Sequence, residues 1–128
     1  MAVVGVDIGD HSTYISVARL GAVETISNDY SLRATPSIVA FGERQRFIGV
    51  SAENQRNLNP KNTVSFFKNT LGLKVKTVES LATSYGAKIS LTDSGKLTFE
   101  VRNRVLESEQ ALAMLLTKVK ELVRESEG

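Results

Sequence analysis

The sequence predicts a single mixed α/β domain, and three stretches predict it. Residues 3–17 hold two β-branched runs on either side of Gly9. Residues 87–101 alternate apolar and polar side chains around Thr92-Asp93-Ser94-Gly95, and residues 108–125 repeat apolar side chains at helical spacing. The 128 residues are one domain's worth of chain, enough to bury a core.

Val3, Val4, Val6 and Ile8 favour a pleated backbone, because branching at Cβ packs well there. Gly9 is expected to supply a permissive φ where the chain reverses, with Asp10, His11 and Ser12 as turn residues. Thr13 to Val17 form the second strand of an antiparallel hairpin. The backbone N–H groups of such a turn can converge on an anion. Asp7, ending the first strand, is placed to hold a hydrated magnesium ion beside that anion, since magnesium prefers oxygen ligands and keeps much of its water. On this stretch alone, an ordinary hairpin with an acidic residue at its mouth is the better-supported reading, because Asp-x-Gly is common.

Leu20-Gly21 reads as a second tight turn and residues 22–27 as a third strand, which makes a meander. Asn28-Asp29-Tyr30-Ser31 is turn chemistry. Thr35-Pro36 is extended, because proline restricts the residue before it, and residues 37–41 form a short strand ending at Gly42. A helix is expected over residues 50–57, closed by Asn59-Pro60. A second is expected from Asn62 or Thr63 to Leu71, ending at Gly72, with Val64, Phe67 and Leu71 on one face and Lys68 at its edge.

Residues 77–83 read as a short helix. The hairpin over residues 87–101 has a polar outer face, which marks a sheet edge. In the last helix, Leu112, Leu115, Leu116, Val119, Leu122 and Val123 form a broad apolar stripe, and Glu107 and Glu109 suit the positive end of its dipole. Core packing is favoured over a partner-binding face, because most amphipathic helices in domains pack inward.

With 16 basic against 14 acidic residues, no large field draws the chain to nucleic acid, and Arg44/Arg46 and Lys74/Lys76 are short, solvated pairs. Neither a nucleic-acid nor a membrane partner is expected. The absence of cysteine excludes disulfides and cysteine-ligated zinc. His11, the sole histidine, reads as a turn residue rather than a metal ligand. No run reaches transmembrane length and no basic-then-apolar leader opens the chain, so the expected location is cytoplasmic.

Several blocks, taken in order, resemble the nucleotide-binding domain of the heat shock protein 70 chaperones, and most of all their heat shock protein 110 branch. They are Gly5-Val6-Asp7-Ile8-Gly9, then Asn28-Asp29-Tyr30-Ser31-Leu32-Arg33-Ala34-Thr35-Pro36-Ser37, then Ile48-Gly49-Val50-Ser51-Ala52. Asn62-Thr63-Val64 follows with Lys68 and Leu71-Gly72, and the last helix continues with Glu109-Gln110 and Met114-Leu115-Leu116-Thr117-Lys118. The likeness is collinear throughout and weakest over residues 74–104. With it, the ordinary-hairpin reading becomes a minor one.

The resemblance implies an actin-like, ribonuclease-H-like ATPase fold, of which this chain covers the first part of lobe I. Residues 1–39 would open the base subdomain with the meander. Residues 40–106 would form a smaller inserted α+β subdomain, and 107–128 a helix returning to the base. The implied cofactor is ATP or ADP with magnesium. Asp7 would orient the metal through water, and Gly9 with Asp10, His11 and Ser12 would face the terminal phosphates. Lys68 would be the catalytic residue, positioning the γ-phosphate and the attacking water.

Two departures from the family bear on that chemistry. Members with robust hydrolysis carry Thr-Thr where this chain has Asp10-His11, and a carboxylate there repels phosphates. Asn69 stands where the family often has arginine. The adenosine pocket belongs to a second lobe, so the chain alone is expected neither to hydrolyse ATP nor to bind it tightly. Its uncovered sheet edge and apolar stripe are expected to leave it either a dimer, strand exchange being one route, or a loosely packed monomer. The function implied is that of a chaperone which binds ATP, assists folding of client proteins and exchanges nucleotide on heat shock protein 70 partners. The alternatives are a short interaction module without nucleotide activity and, last, a phosphotransferase of the wider actin-like superfamily. The latter shares the hairpin but not the blocks at 28–37 and 62–72.

Overall fold

The computed structural model describes residues 3–65, 67–72 and 86–127. Three small antiparallel sheets are gathered by one long helix. In the first sheet, β1 (Val3–Ile8) and β2 (Ser12–Arg19) pair from Val3↔Ala18 to Ile8↔Thr13. β3 (Ala22–Thr25) follows through Leu20-Gly21, both with left-handed φ (49° and 79°), the turn geometry that matches the twist of paired strands. β4 (Thr35–Pro36) then returns beside the start of β2, on the flank that β3 leaves free.

The second sheet runs β6-β5-β7, with β5 (Ile38–Phe41) between β6 (Arg46–Ile48) and β7 (Thr63–Ser65). Side chains of β5 alternate between two cores. Val39 and Phe41 enter the main cluster, while Ile38 and Ala40 meet Ala52 of α1 (Val50–Leu58). The third sheet is β8 (Lys88–Leu91), β9 (Leu97–Val101) and β10 (Arg104–Glu107), with the buried β9 at its centre. No helix among the described residues is long and apolar enough to cross a membrane.

α2 (Ser108–Glu127) starts with the Glu107 N–H donating to Gln110 Oε1 at 2.8 Å, half of a capping box. Its first half, through Ala111, Met114 and Leu115, packs into the main cluster with Phe67, Phe99 and Leu106. Its second half, through Val119 and Leu122, covers Ile15, Val17 and Ile26 of the meander. The helix therefore joins the first sheet to the other two.

Two expectations need correction, and one lies outside the described residues. The helix expected from Asn62 or Thr63 to Leu71 is instead β7 followed by a 3₁₀ turn, Phe67–Thr70. Thr63 and Val64 pair with Ala40 and Val39, so β-branched side chains take the ladder they prefer. Val64 and Phe67 still meet in one core, which is why their spacing imitates a helix. β10 was not expected. It follows the glycine-free turn Arg102-Asn103, where Arg102 itself takes a left-handed φ of 49°. The helix expected over residues 77–83 falls outside the described residues.

Candidate functional site

The β1–β2 turn is built by close approach rather than by unusual φ. The Gly9 N–H donates to the Ser12 carbonyl at 2.9 Å, and a Cβ on Gly9 would lie 2.9 Å from that same oxygen. Gly9 has no left-handed φ, so the permissive torsion expected of it is not what the turn uses. Its N–H is occupied within the turn.

A second segment braces the turn from below. The Ser37 N–H donates to the His11 carbonyl at 2.9 Å, and the buried hydroxyls of Thr13 and Ser37 are hydrogen-bonded at 2.8 Å. Asn28 organises the approach to that segment. Its Oδ1 accepts from the N–H groups of Tyr30 and Leu32 at 2.9 and 3.1 Å. Its Nδ2 donates to Thr35 Oγ1 at 3.1 Å and to the Ala34 carbonyl at 3.2 Å. Sequence reasoning gave Thr13, Asn28, Thr35 and Ser37 no positioning role. Their signal was only the placing of small polar residues beside two turns.

Asp7 is exposed near the end of β1, and its carboxylate forms no hydrogen bond or ion pair with any described residue. Asp10 is exposed on the turn itself and Ser12 begins β2. Two carboxylates and a hydroxyl are hard oxygen donors of the kind magnesium takes. No group of three or more His, Cys, Asp or Glu among the described residues could hold a metal ion. A cation at Asp7 would therefore keep most of its water and share an anionic ligand, which is how magnesium accompanies phosphates. The residues present fit that group.

Lys68 is exposed on the 3₁₀ turn, between the buried Phe67 and Thr70. The Thr70 hydroxyl meets that of Ser108 at the start of α2. Lys68 makes no ion pair with Asp7 or Asp10; what links it to the hairpin is the main core, where Ile8 packs against the cluster holding Phe67. The structure thus brings Asp7, Gly9, Asp10, His11 and Ser12 together on one braced turn and anchors Lys68 in the same core by its neighbour.

The family model described as Hsp70 protein matches residues 3–128. The chain is 41% identical over 127 residues to heat shock 70 kDa protein 4 of Homo sapiens and to that of Rattus norvegicus, covering 94% of this chain in each case. It is 40% identical over 126 residues to the 97 kDa heat shock protein of Strongylocentrotus purpuratus, again over 94% of this chain. The matched region spans only 15% of the first two relatives and 14% of the third.

Proposed function

The chain belongs to the Hsp70 protein family, on its heat shock protein 110 branch, and from that premise we propose that its β1–β2 turn is the phosphate grip of a chaperone's ATP site. The fold is accordingly that of the Hsp70 nucleotide-binding domain, actin-like and present as part of a lobe. In this reading, residues 1–39 open the base of lobe I, 40–106 form its inserted subdomain and 107–128 return to the base. The observation that carries the proposal is an Asp7 carboxylate with no partner among the described residues, at the mouth of a turn braced by Ser37 and Thr13.

Each residue then has a defined task. Asp7 orients the water shell of magnesium, and the Asp10–Ser12 backbone faces the terminal phosphates. Lys68 supplies positive charge for positioning the transferring group, an electrostatic role suited to phosphoryl transfer. Bound magnesium would neutralise phosphate charge, including the repulsion from Asp10. The complete protein would act in the cytoplasm as a folding chaperone and as a nucleotide exchange factor for Hsp70 partners. In the family the adenosine pocket belongs to a second lobe, and in this reading the 128 residues alone bind ATP weakly and do not hydrolyse it.

Titrating the chain with magnesium ATP tests both halves of this reading. Amide resonances of residues 7–12 should shift at millimolar nucleotide while calorimetry detects no micromolar site. Micromolar affinity would contradict the weak-binding half. Unmoved resonances at the turn would contradict the phosphate grip.

A further inference from the structure

Asp7 has a cross-strand neighbour on β2. Tyr14 is its direct partner in the β1–β2 ladder. Side chains on one rung of an antiparallel pair leave the same face, with Cβ atoms about 4.5–5.5 Å apart. Ile15 and Val17 point into the core formed with α2, so Asp7 and Tyr14 stand on the opposite, uncovered face. Tyr14 is 43% exposed there.

The next rung on that face leaves open space. It pairs Gly5 with Ser16, and a Cβ placed on Gly5 would meet nothing within 4 Å. The Tyr14 ring is therefore not walled in by a bulky neighbour across the ladder on the Gly5 side. Its hydroxyl forms no hydrogen bond with any described residue, yet a phenol can donate and accept. An exposed strand tyrosine needs no function, since aromatic residues are common in strands. Here, however, an unpaired donor shares a rung with an unpaired carboxylate at the mouth of a braced turn.

We propose that Tyr14 is a ligand-facing residue of this site, donating a hydrogen bond from its hydroxyl to an oxygen of the polyphosphate whose cation Asp7 attracts. The inference rests on the reading of the turn as a magnesium–nucleotide grip. It adds a donor that does not depend on the backbone, on a strand whose position is fixed by the β2 ladder rather than by the turn. It also supplies a neutral contact to phosphate close to Asp10, where the chain otherwise presents negative charge.

The test compares magnesium ATP and magnesium pyrophosphate titrations of the whole chain and three variants, read from the amide resonances of residues 7–12. Tyr14→Phe keeps the ring and removes only the hydroxyl. It should weaken binding of both probes about three- to tenfold, the range of one typical net hydrogen bond. Asp7→Asn should weaken binding at least as much, and Tyr30→Phe should leave it unchanged. Unperturbed resonances away from the turn establish that each variant is folded. If Asp7→Asn weakens binding and Tyr14→Phe does not, the tyrosine proposal fails while the grip stands. Equal weakening by Tyr14→Phe and Tyr30→Phe also refutes it. If the unsubstituted chain shows no shifts at the turn, the grip itself fails, and Tyr14 with it.

Discussion

At the scale of single residues, the turn depends on contacts that admit little substitution. Gly9→Ala would drive a methyl against the Ser12 carbonyl, and something must move to relieve the contact. The expected cost is about 1–3 kcal/mol, as for other overpacked sites. Chemical denaturation should show it as a lower midpoint at unchanged slope; a variant as stable as the parent would mean the turn is looser than described. The sequence identified Gly9 correctly but for the wrong reason, because a close approach leaves no mark that distinguishes it from a left-handed torsion. The position of Asp7 near the end of β1 was legible, since the apolar run before it marks the strand. The pairing of Tyr14 with Asp7 was not, because it lies in register, and register emerges only when two strands are laid side by side.

At the scale of elements, α2 carries the sharpest contrast. Leu115 is fully buried, whereas Leu116, one residue on, is 42% exposed. Leu115→Ala should cost about 2–5 kcal/mol, and Leu116→Ala should stay within about 0.5 kcal/mol. Similar losses at both positions, measured by thermal or denaturant unfolding, would contradict the placement of the helix. Lys96 tests the start of the same helix. It bridges to Glu109 at 2.6 Å and Glu107 at 3.3 Å, and these two carboxylates raise its pKa above the usual 10.5. A raised lysine pKa stabilises the fold below about pH 10.5, and that contribution is lost as pH rises through the higher folded value. Lys96→Met should therefore remove part of the alkaline sensitivity of unfolding. An unchanged alkaline profile would show that the bridge contributes nothing.

Legibility at this scale followed the strength of the local pattern. The meander, the β8–β9 hairpin and α2 could be read because each repeats one period over many residues. β7 and β10 could not, because strands of three and four residues carry too few repeats, and tertiary pairing decides them. The stripe on α2 was legible as a face but not in its rotation. Ala111 and Met114 are buried in place of Leu116, since the helix must serve two cores at once.

For the whole molecule, β1 is an open edge of the first sheet among the described residues. Val3, Val4 and Val6 of β1 are 73%, 38% and 39% exposed, along an edge with no strand beside it among the described residues. A groove of about 370 Å³ that includes Val4 adjoins that edge, with Leu116, Val119 and Val123 in its wall and Lys120, Arg124 and Glu127 beside them. Apolar edges recruit strands, so the chain alone should dimerise through β1. Sedimentation of a compact monomer with one cooperative unfolding transition would contradict this. The central claim is narrower, that the β1–β2 turn grips phosphate through Asp7. Its most direct measurement is the magnesium ATP titration of the chain beside its Asp7→Asn variant, followed at the amides of residues 7–12. Shifts confined to the turn and weakened in the variant are the predicted result, and identical responses from the two proteins would contradict it.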